Sequence, residues 1–433
     1  MVGYVGQVSA YRTVRLAYGA GGLDVRLPAD RTRVVEPHYE PPAPDPATTL
    51  RDALRRPVAG QPLRERFAGR RTLAIAICDL TRPQPREAMV RAVLDELDGL
   101  VRLEDVTVLV ATGTHRGNTE IELREMLGAE LLSAVRVVNH DSRDRTSLTW
   151  CGRYGEDVPV WLNSEWVEAD FTLTTGFVEP HFFAGFSGGP KLVTPGLAAL
   201  ETVLTLHDAA RIGHPDARWG VCVGNPVHDD IRAAAVGTGV DFAFDVILNR
   251  DQEIVAAYAG DVLPMHEAAR RHSRRIAMQH VPARADVVVT TNSGYPLDQN
   301  LYQAVKGMSA AMEVVRRDGA ILCAAECRDG YPDHGSYRSE LTAAESPAQL
   351  LAEIAGREQT VPDQWQIQIQ AKIASFARVG LHTSGLTDDE VRAAHLRPVP
   401  DLSEAVEREL ARLGEDAWVC VLPEGPQTIP YVA

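Results

Sequence analysis

The run Thr72–Cys78 (TLAIAIC) carries no charge, so as a strand it has to be covered on both of its faces. It is followed by an amphipathic pattern over Arg86–Leu97, a second apolar run at Val106–Ala111 (VTVLVA), and a helical pattern over Glu120–Leu127. Val135–Asn139, Val158–Leu162 and Asp170–Thr175 read as further strands. Nearly continuous apolar strands alternating with helices are satisfied by a mostly parallel sheet with helices on both sides, so the fold class is α/β.

A second block of the same kind begins at Asp286. Val287–Thr290 and Ala320–Ala325 read as strands, and Asn300–Val315, Pro347–Ile354, Gln364–Phe376, Asp388–Leu396 and Leu402–Leu413 as helices. The boundary is placed near Val281-Pro282-Ala283, after a basic helix over Met265–Met278. The expected organisation is an N-terminal α/β domain over 1–280 and a C-terminal one over 281–433, facing each other across a cleft. The closing strand Ala417–Leu422 either completes the second sheet or returns to the first. Ahead of both blocks, Thr13–Tyr18 and Leu23–Leu27 flank Gly19-Ala20-Gly21-Gly22, a hairpin signal, and Pro41–Pro46 reads as an extended linker.

Charge and cysteine usage exclude several classes. The 433 residues hold 44 Lys and Arg against 59 Asp and Glu, a formal charge of −15. A protein that works on nucleic acid or anionic lipid needs the opposite surplus. The six cysteines are scattered rather than spaced as a disulfide framework. Met1–Leu16 shows no apolar signal-peptide core and no run is long enough to span a bilayer, so the expectation is a cytoplasmic protein without membrane or nucleic-acid partners.

In open α/β sheets ligands sit beyond the carboxyl ends of the strands. Those positions hold Asp79-Leu80-Thr81-Arg82, then Thr112-Gly113-Thr114-His115, then the segment Gly176–Gly196, then Thr291–Gln299 leading to Tyr302, Gln303 and Lys306. Taken singly, each has a plain structural reading: Asp79 with Arg82 as a surface ion pair, and His115 and His181 as structural histidines. Gly185–Lys191 (GFSGGPK) is not a phosphate loop of the GxxxxGK[ST] kind, because Pro190 separates glycine from lysine. Cys323 and Cys327 lack the second pair that a zinc site needs. Two histidines able to move protons near neutral pH, with Arg82 and Lys306 to clamp a carboxylate, suit a racemase or epimerase, and suit a hydrolase almost as well.

CDLTRPQP at Cys78–Pro85, GTHRGNTEIEL at Gly113–Leu123, NHDSRD at Asn139–Asp144, EPHFFAGFSGGPK at Glu179–Lys191 and GYPLDQNLYQAVKGM at Gly294–Met308 together resemble the nickel-pincer lactate racemase family. The resemblance runs from Tyr18 to the region of Trp365. It implies a pyridinium-3,5-bisthiocarboxylic acid mononucleotide that carries nickel and is attached to Lys191, with His207 as a metal ligand and Thr81, Gly188 and Gly189 beside the cofactor. It implies racemisation or epimerisation of a small-molecule 2-hydroxy acid, lactate-like in the first instance, by reversible hydride transfer. His115 and His181 would serve as the catalytic bases, and Arg82, Lys306 and Gln303 would bind the carboxylate, with Tyr302 and Trp365 lining the pocket. Asp79 is expected to orient Arg82, and His207 to lie on an apolar helix over Ala198–Ala210. The implied partners are cofactor-building and nickel-inserting enzymes. A sugar-acid 2-epimerase with the same cofactor, or a non-catalytic nickel- or cofactor-binding protein, are the alternatives. Many members have a basic residue immediately before the tethering lysine, where this chain has Pro190.

Overall fold

The structure is a computed structural model that describes residues 10–332 and 335–432; the first nine residues of the Met1–Leu16 stretch lie outside them. The chain divides into two compact units, Tyr39–Ile276 and a second one that combines the residues up to His38 with those from Ala277 onward. Each has its own mostly parallel six-stranded sheet, as the apolar runs require.

In the unit Tyr39–Ile276 the sheet order is Ile254–Gly260, Phe242–Leu248, Phe171–Phe177, Leu73–Cys78, Val106–Ala111, Arg136–Asn139, with the first of these pairing antiparallel and the rest parallel. Leu73–Cys78 lies at the centre and is buried at every position, which is why it carries no charge. Helices Arg86–Glu96 and Pro46–Arg55 help cover the sheet, and Phe67 meets Phe171 edge-on with ring centroids 5.3 Å apart. Val158–Asn163, read as a sheet strand, instead pairs antiparallel with Leu148–Tyr154 in a separate ribbon. The helix begun at Glu120 runs on to Ala134 with a break at Gly128, whose φ is 74°. Its start is a capping box in which Thr119 and Glu122 satisfy each other's backbone N–H, so part of the GTHRGNTEIEL motif is helix-cap chemistry.

The second unit corrects the expected boundaries. Residues 1–280 do not form one domain: Thr32–Val34 pairs parallel with Val419–Val421 at the edge of the sheet built from Ala285–Thr291, Val315–Ala324, Arg378–His382 and Arg397–Pro398. The closing strand therefore stays in this sheet and draws the beginning of the chain to it. The hairpin Tyr11–Leu16 with Leu23–Pro28 follows, burying Leu16, Val25 and Leu27 in the same core as Val287, Val289 and Leu402. The helix expected over Asn300–Val315 is shorter, Leu301–Met312, because Val315 already begins the next strand.

All six cysteines are free thiols, and no helix among the described residues is long and apolar enough to cross a membrane. Gly307 marks how tightly Leu301–Met312 is seated: a Cβ there would lie 1.9 Å from the Thr291 carbonyl oxygen. Gly307→Ala is expected to cost about 1–3 kcal/mol through overpacking and to lower the urea midpoint measurably. An unchanged midpoint would mean that helix and strand are not in such close contact.

Candidate functional site

In the unit Tyr39–Ile276 three parallel strands, Leu73–Cys78, Val106–Ala111 and Phe171–Phe177, end at one edge, and the loops that leave them carry the candidate groups. Arg86 fixes the first loop. Its buried guanidinium donates to the carbonyls of Cys78 at 2.8 Å and Gln84 at 3.1 Å, and also to those of Asp79 and Arg82. Gln84 completes the turn by accepting from Cys78 N at 2.7 Å and donating to Thr175 Oγ1 at 2.8 Å. Sequence reading took Arg86 for a helix start and missed this role.

Asp79, expected to orient Arg82, accepts from Arg82 N through its carbonyl at 3.2 Å and feels the Arg82 charge, while its carboxylate is hydrogen-bonded to other groups. One of its carboxylate oxygens lies 2.6 Å from His115 Nδ1, and the other accepts from Thr81 N at 3.2 Å and Thr81 Oγ1 at 2.7 Å. Cys78 is paired with Ala111 in the parallel register, so the loops after these two strands emerge side by side. Thr81, expected beside the cofactor, is thus engaged in holding Asp79. The hydrogen bonds from His115 and Thr81 keep the Asp79 carboxyl below its ordinary value even though burial pushes the other way. The side chain of His115 is 48 % exposed while that of Asp79 is 4 %, a fixed carboxylate behind a reachable imidazole.

After Phe177 the chain makes a two-residue hairpin, Pro180–His181 with Gly185–Phe186, and Ala184 N donates to His181 Nδ1 at 3.2 Å. The His181 ring meets Phe183 edge-on at 4.5 Å, and Phe183 meets His207 in the same way at 5.1 Å. Gly188 and Gly189 then turn with φ of 72° and 51° into the 3-10 turn Gly189–Leu192, which carries Lys191. A side chain at Gly188 would collide with Asp245, and one at Gly189 with His266, so only glycine fits this turn. Asp245 lies beneath it and accepts from Gly189 N at 2.6 Å. His266 Nε2 donates to Ser187 O at 2.8 Å, and His228 Nδ1 to Ala184 O at 3.2 Å. None of these three supports was anticipated from sequence. The turn is also joined to the His115 loop, through Gly113 N and Gly196 O at 2.9 Å.

His207 is not inside a helix. The helix Leu200–Leu206 ends just before it, and His207 caps that end while its Nδ1 donates to Val203 O at 2.7 Å. Burial holds its imidazole down to about 4, the Lys191 ammonium acts in the same direction, and the Val203 carbonyl opposes both. The ring is therefore neutral at pH 7, with the lone pair on Nε2.

In the other unit, the loop after Ala285–Thr291 enters the helix Leu301–Met312, capped by Asn300 accepting from Gln303 N at 3.1 Å. Tyr302, Gln303 and Lys306 share its half-buried side. Lys306 Nζ donates to Gln303 Oε1 at 2.7 Å, and Trp365 Nε1 to the Tyr302 hydroxyl at 3.1 Å. The preceding loop is held by buried Asp298, which accepts from Gly19 N at 2.7 Å and Glu326 N at 3.0 Å.

Residues 18–220 match the profile of the lactate racemase N-terminal domain, and residues 281–429 that of the lactate racemase C-terminal domain. A lactate racemase of Thermoanaerobacterium thermosaccharolyticum is 35 % identical over 382 residues, 88 % of this chain and 89 % of its own length. The chain belongs to the lactate racemase family. The lactate racemase of Lactiplantibacillus plantarum is also 35 % identical, over 87 % of this chain and 89 % of its own. The structure of the lactate racemase apoprotein from T. thermosaccharolyticum superposes with a TM-score of 0.92 at 32 % identity, covering 97 % of this chain and all of that one. A Thermotoga maritima protein with a TM-score of 0.68 and 20 % identity shares the fold. Membership of this family makes the chain an isomerase.

Among the described residues no three His, Cys, Asp or Glu side chains converge on one point. A single neutral imidazole at His207, near a lysine on a glycine-fixed turn, fits a metal that arrives with its other donors already supplied by an organic group. These residues fit the tethered nickel nucleotide that the family resemblance implies.

Asp245 gives this region a pH signature. Burial raises its carboxyl to about 7, against the opposing Gly189 N–H, whereas 3.8 is its ordinary value. Between those values the folded chain binds more protons at this site than the unfolded one, so the site lowers stability as pH rises through the window. Asp245→Asn removes that slope and keeps an acceptor for Gly189 N. Its stability relative to the parent is expected to improve as pH rises from about 4 to about 7 in urea titrations; a difference that stays constant over that window would refute this account.

Proposed function

We propose that this chain interconverts the enantiomers of a small 2-hydroxy acid, lactate in the first instance, using a nickel-carrying pyridinium dithiocarboxylate nucleotide attached to Lys191. The observation that carries the reading is the Asp79–His115 pair, which lies on the same strand-end edge as the turn that holds Lys191. A protein that merely stored the cofactor would need Lys191 and His207, but not a buried carboxylate backing a reachable imidazole.

When bound, the nucleotide supplies the hydride acceptor. Lys191 would hold it covalently, His207 would offer Nε2 to nickel, and Gly188 and Gly189 would let backbone approach a flat ring closely. His115 and His181 hold and move the proton of the substrate hydroxyl, one for each hand of the substrate. Arg82, Lys306 and Gln303 bind its carboxylate, the guanidinium in bidentate fashion. Three cationic side chains, Arg82, Lys191 and Lys306, supply local positive charge for an anionic substrate and a phosphorylated nucleotide in a chain whose formal charge is −15. Enzymes that build the nucleotide and insert nickel are the partners this reading requires, and the reducing cytoplasm is the compartment it assigns.

Protein produced together with those maturation enzymes is expected to contain nickel and to show Lys191 mass-shifted by the nucleotide. An unmodified Lys191 without nickel would sink the assignment. In the same preparation His115→Ala and His181→Ala should each abolish loss of optical activity with a panel of 2-hydroxy acids while nickel stays bound. Turnover of sugar acids but not of lactate in that panel would establish the epimerase alternative instead.

A further inference from the structure

Two-base racemisation is usually drawn with interchangeable bases, and the hydrogen bonds around His115 and His181 are not interchangeable. We propose that the two rings are held in opposite tautomers, His115 by Asp79 and His181 by the Ala184 peptide, so that one enantiomer meets His115 as the base and His181 as a hydrogen-bond donor, while the other requires the His181 proton to move from Nε2 to Nδ1 first. The functional half of this inference rests on the racemase reading; the tautomers are a property of the chain.

A neutral imidazole has one N–H and one lone pair, and a neighbour that can only accept or only donate decides which nitrogen has which. The Asp79 carboxylate only accepts, and it meets His115 at Nδ1, 2.6 Å away. The proton is therefore on Nδ1 and the lone pair on Nε2. The carboxylate cannot swing away, because Thr81 holds its other oxygen through both N and Oγ1. A backbone N–H only donates, and Ala184 N meets His181 at Nδ1, 3.2 Å away. The lone pair is therefore on Nδ1 and the proton on Nε2.

The Ala184 segment is as constrained as Asp79. The Ala184 carbonyl accepts from His228 Nδ1 at 3.2 Å and from Phe186 N at 2.9 Å. Gly185 follows with a φ of 77°, its carbonyl accepting from Gly220 N at 3.0 Å, and a Cβ on it would lie 2.3 Å from the Val221 carbonyl oxygen. The His228 ring makes this bond through Nδ1, and its Nε2 is buried without a hydrogen-bond partner. It is a positioning residue for the His181 hairpin.

Charging the two rings then has different consequences. A second proton on His115 goes to Nε2 and leaves a cation facing Asp79. A second proton on His181 goes to Nδ1, against the Ala184 N–H, and the contact has to open. In the half-reaction that begins at His115, the substrate O–H bond breaks, its proton passes to Nε2, and the electron pair stays to form C=O. The α-hydrogen leaves with its own pair to the acceptor. Return of that hydride to the opposite face makes an alkoxide, which takes its proton from His181 Nε2 as the proton that His115 accepted is relayed to His181 Nδ1. His115 is then neutral again, and restoring the starting enzyme requires only that the His181 proton move from Nδ1 back to Nε2.

The test is nitrogen NMR of the full chain, free of nucleotide, with ring-labelled histidine at a pH where the imidazoles are neutral; His115→Gln and His181→Gln serve to assign the signals. His115 is expected as the Nδ1–H form and His181 as the Nε2–H form. Asp79→Asn turns the amide N–H₂ towards His115 and should convert that ring alone to the Nε2–H form. Both rings in one tautomer in the parent chain, or a His115 signal unmoved in Asp79→Asn, would overturn the inference. A chain with opposite tautomers that fails to racemise any hydroxy acid after nucleotide loading would instead overturn the racemase reading and leave the tautomers standing.

Discussion

Every strand of a parallel sheet ends at the same edge, and the chemistry of the unit Tyr39–Ile276 follows from that constraint. Leu73–Cys78, Val106–Ala111 and Phe171–Phe177 lie next to one another in a sheet buried by helices, so their following loops have no room inside it and must emerge together. Polar side chains that are far apart in sequence become neighbours without any of the three loops having to be long. What remains is to hold the loops still. That work is done by groups that never reach the surface: Arg86 on four carbonyls, Gln84 on the turn after Cys78, and Asp245 under the glycine turn.

The central strands were legible because full burial leaves a simple mark, an apolar run without charge. Other parts were hidden for identifiable reasons. Phe242–Leu248 is buried at every position except Leu248, but Asp245 interrupts its apolar pattern. The residue that concealed the strand is the one that supports the Lys191 turn. Thr32–Val34 is three residues long and owes its place to a partner almost four hundred positions away, a pairing that no local pattern encodes. The end of the helix before His207 was hidden too, since Ala198–Ala210 is helical in composition throughout and the chain leaves the helix at Leu206.

The partner of Asp79 shows how a sheet overrides spacing in sequence. Arg82 is three residues away and opposite in charge, whereas His115, which meets the carboxylate at 2.6 Å, is thirty-six residues away. Register decides: Cys78 beside Ala111 brings Asp79 alongside the loop Thr112–His115. The identity of the candidate residues was readable from the motifs. Their pairings were not, because pairing depends on which strands are adjacent, and adjacency is set by how each sheet is ordered rather than by the order of the chain.

Pro190 directly precedes Lys191, and its surroundings explain why the turn accommodates it. It is buried near the start of the 3-10 turn, where a backbone N–H has no partner within the turn, so the missing donor costs nothing there. Its carbonyl accepts from both Val193 N and Thr194 N at 3.2 Å, and its ring fixes the dihedral that follows two glycines of positive φ. Glycines allow the turn to form but do not specify it, since they add conformations to the unfolded chain. A proline immediately after them removes part of that freedom. The proline gives this position rigidity, and Lys191, whose N donates to the Gly188 carbonyl at 3.1 Å, is the residue that the rigidity presents.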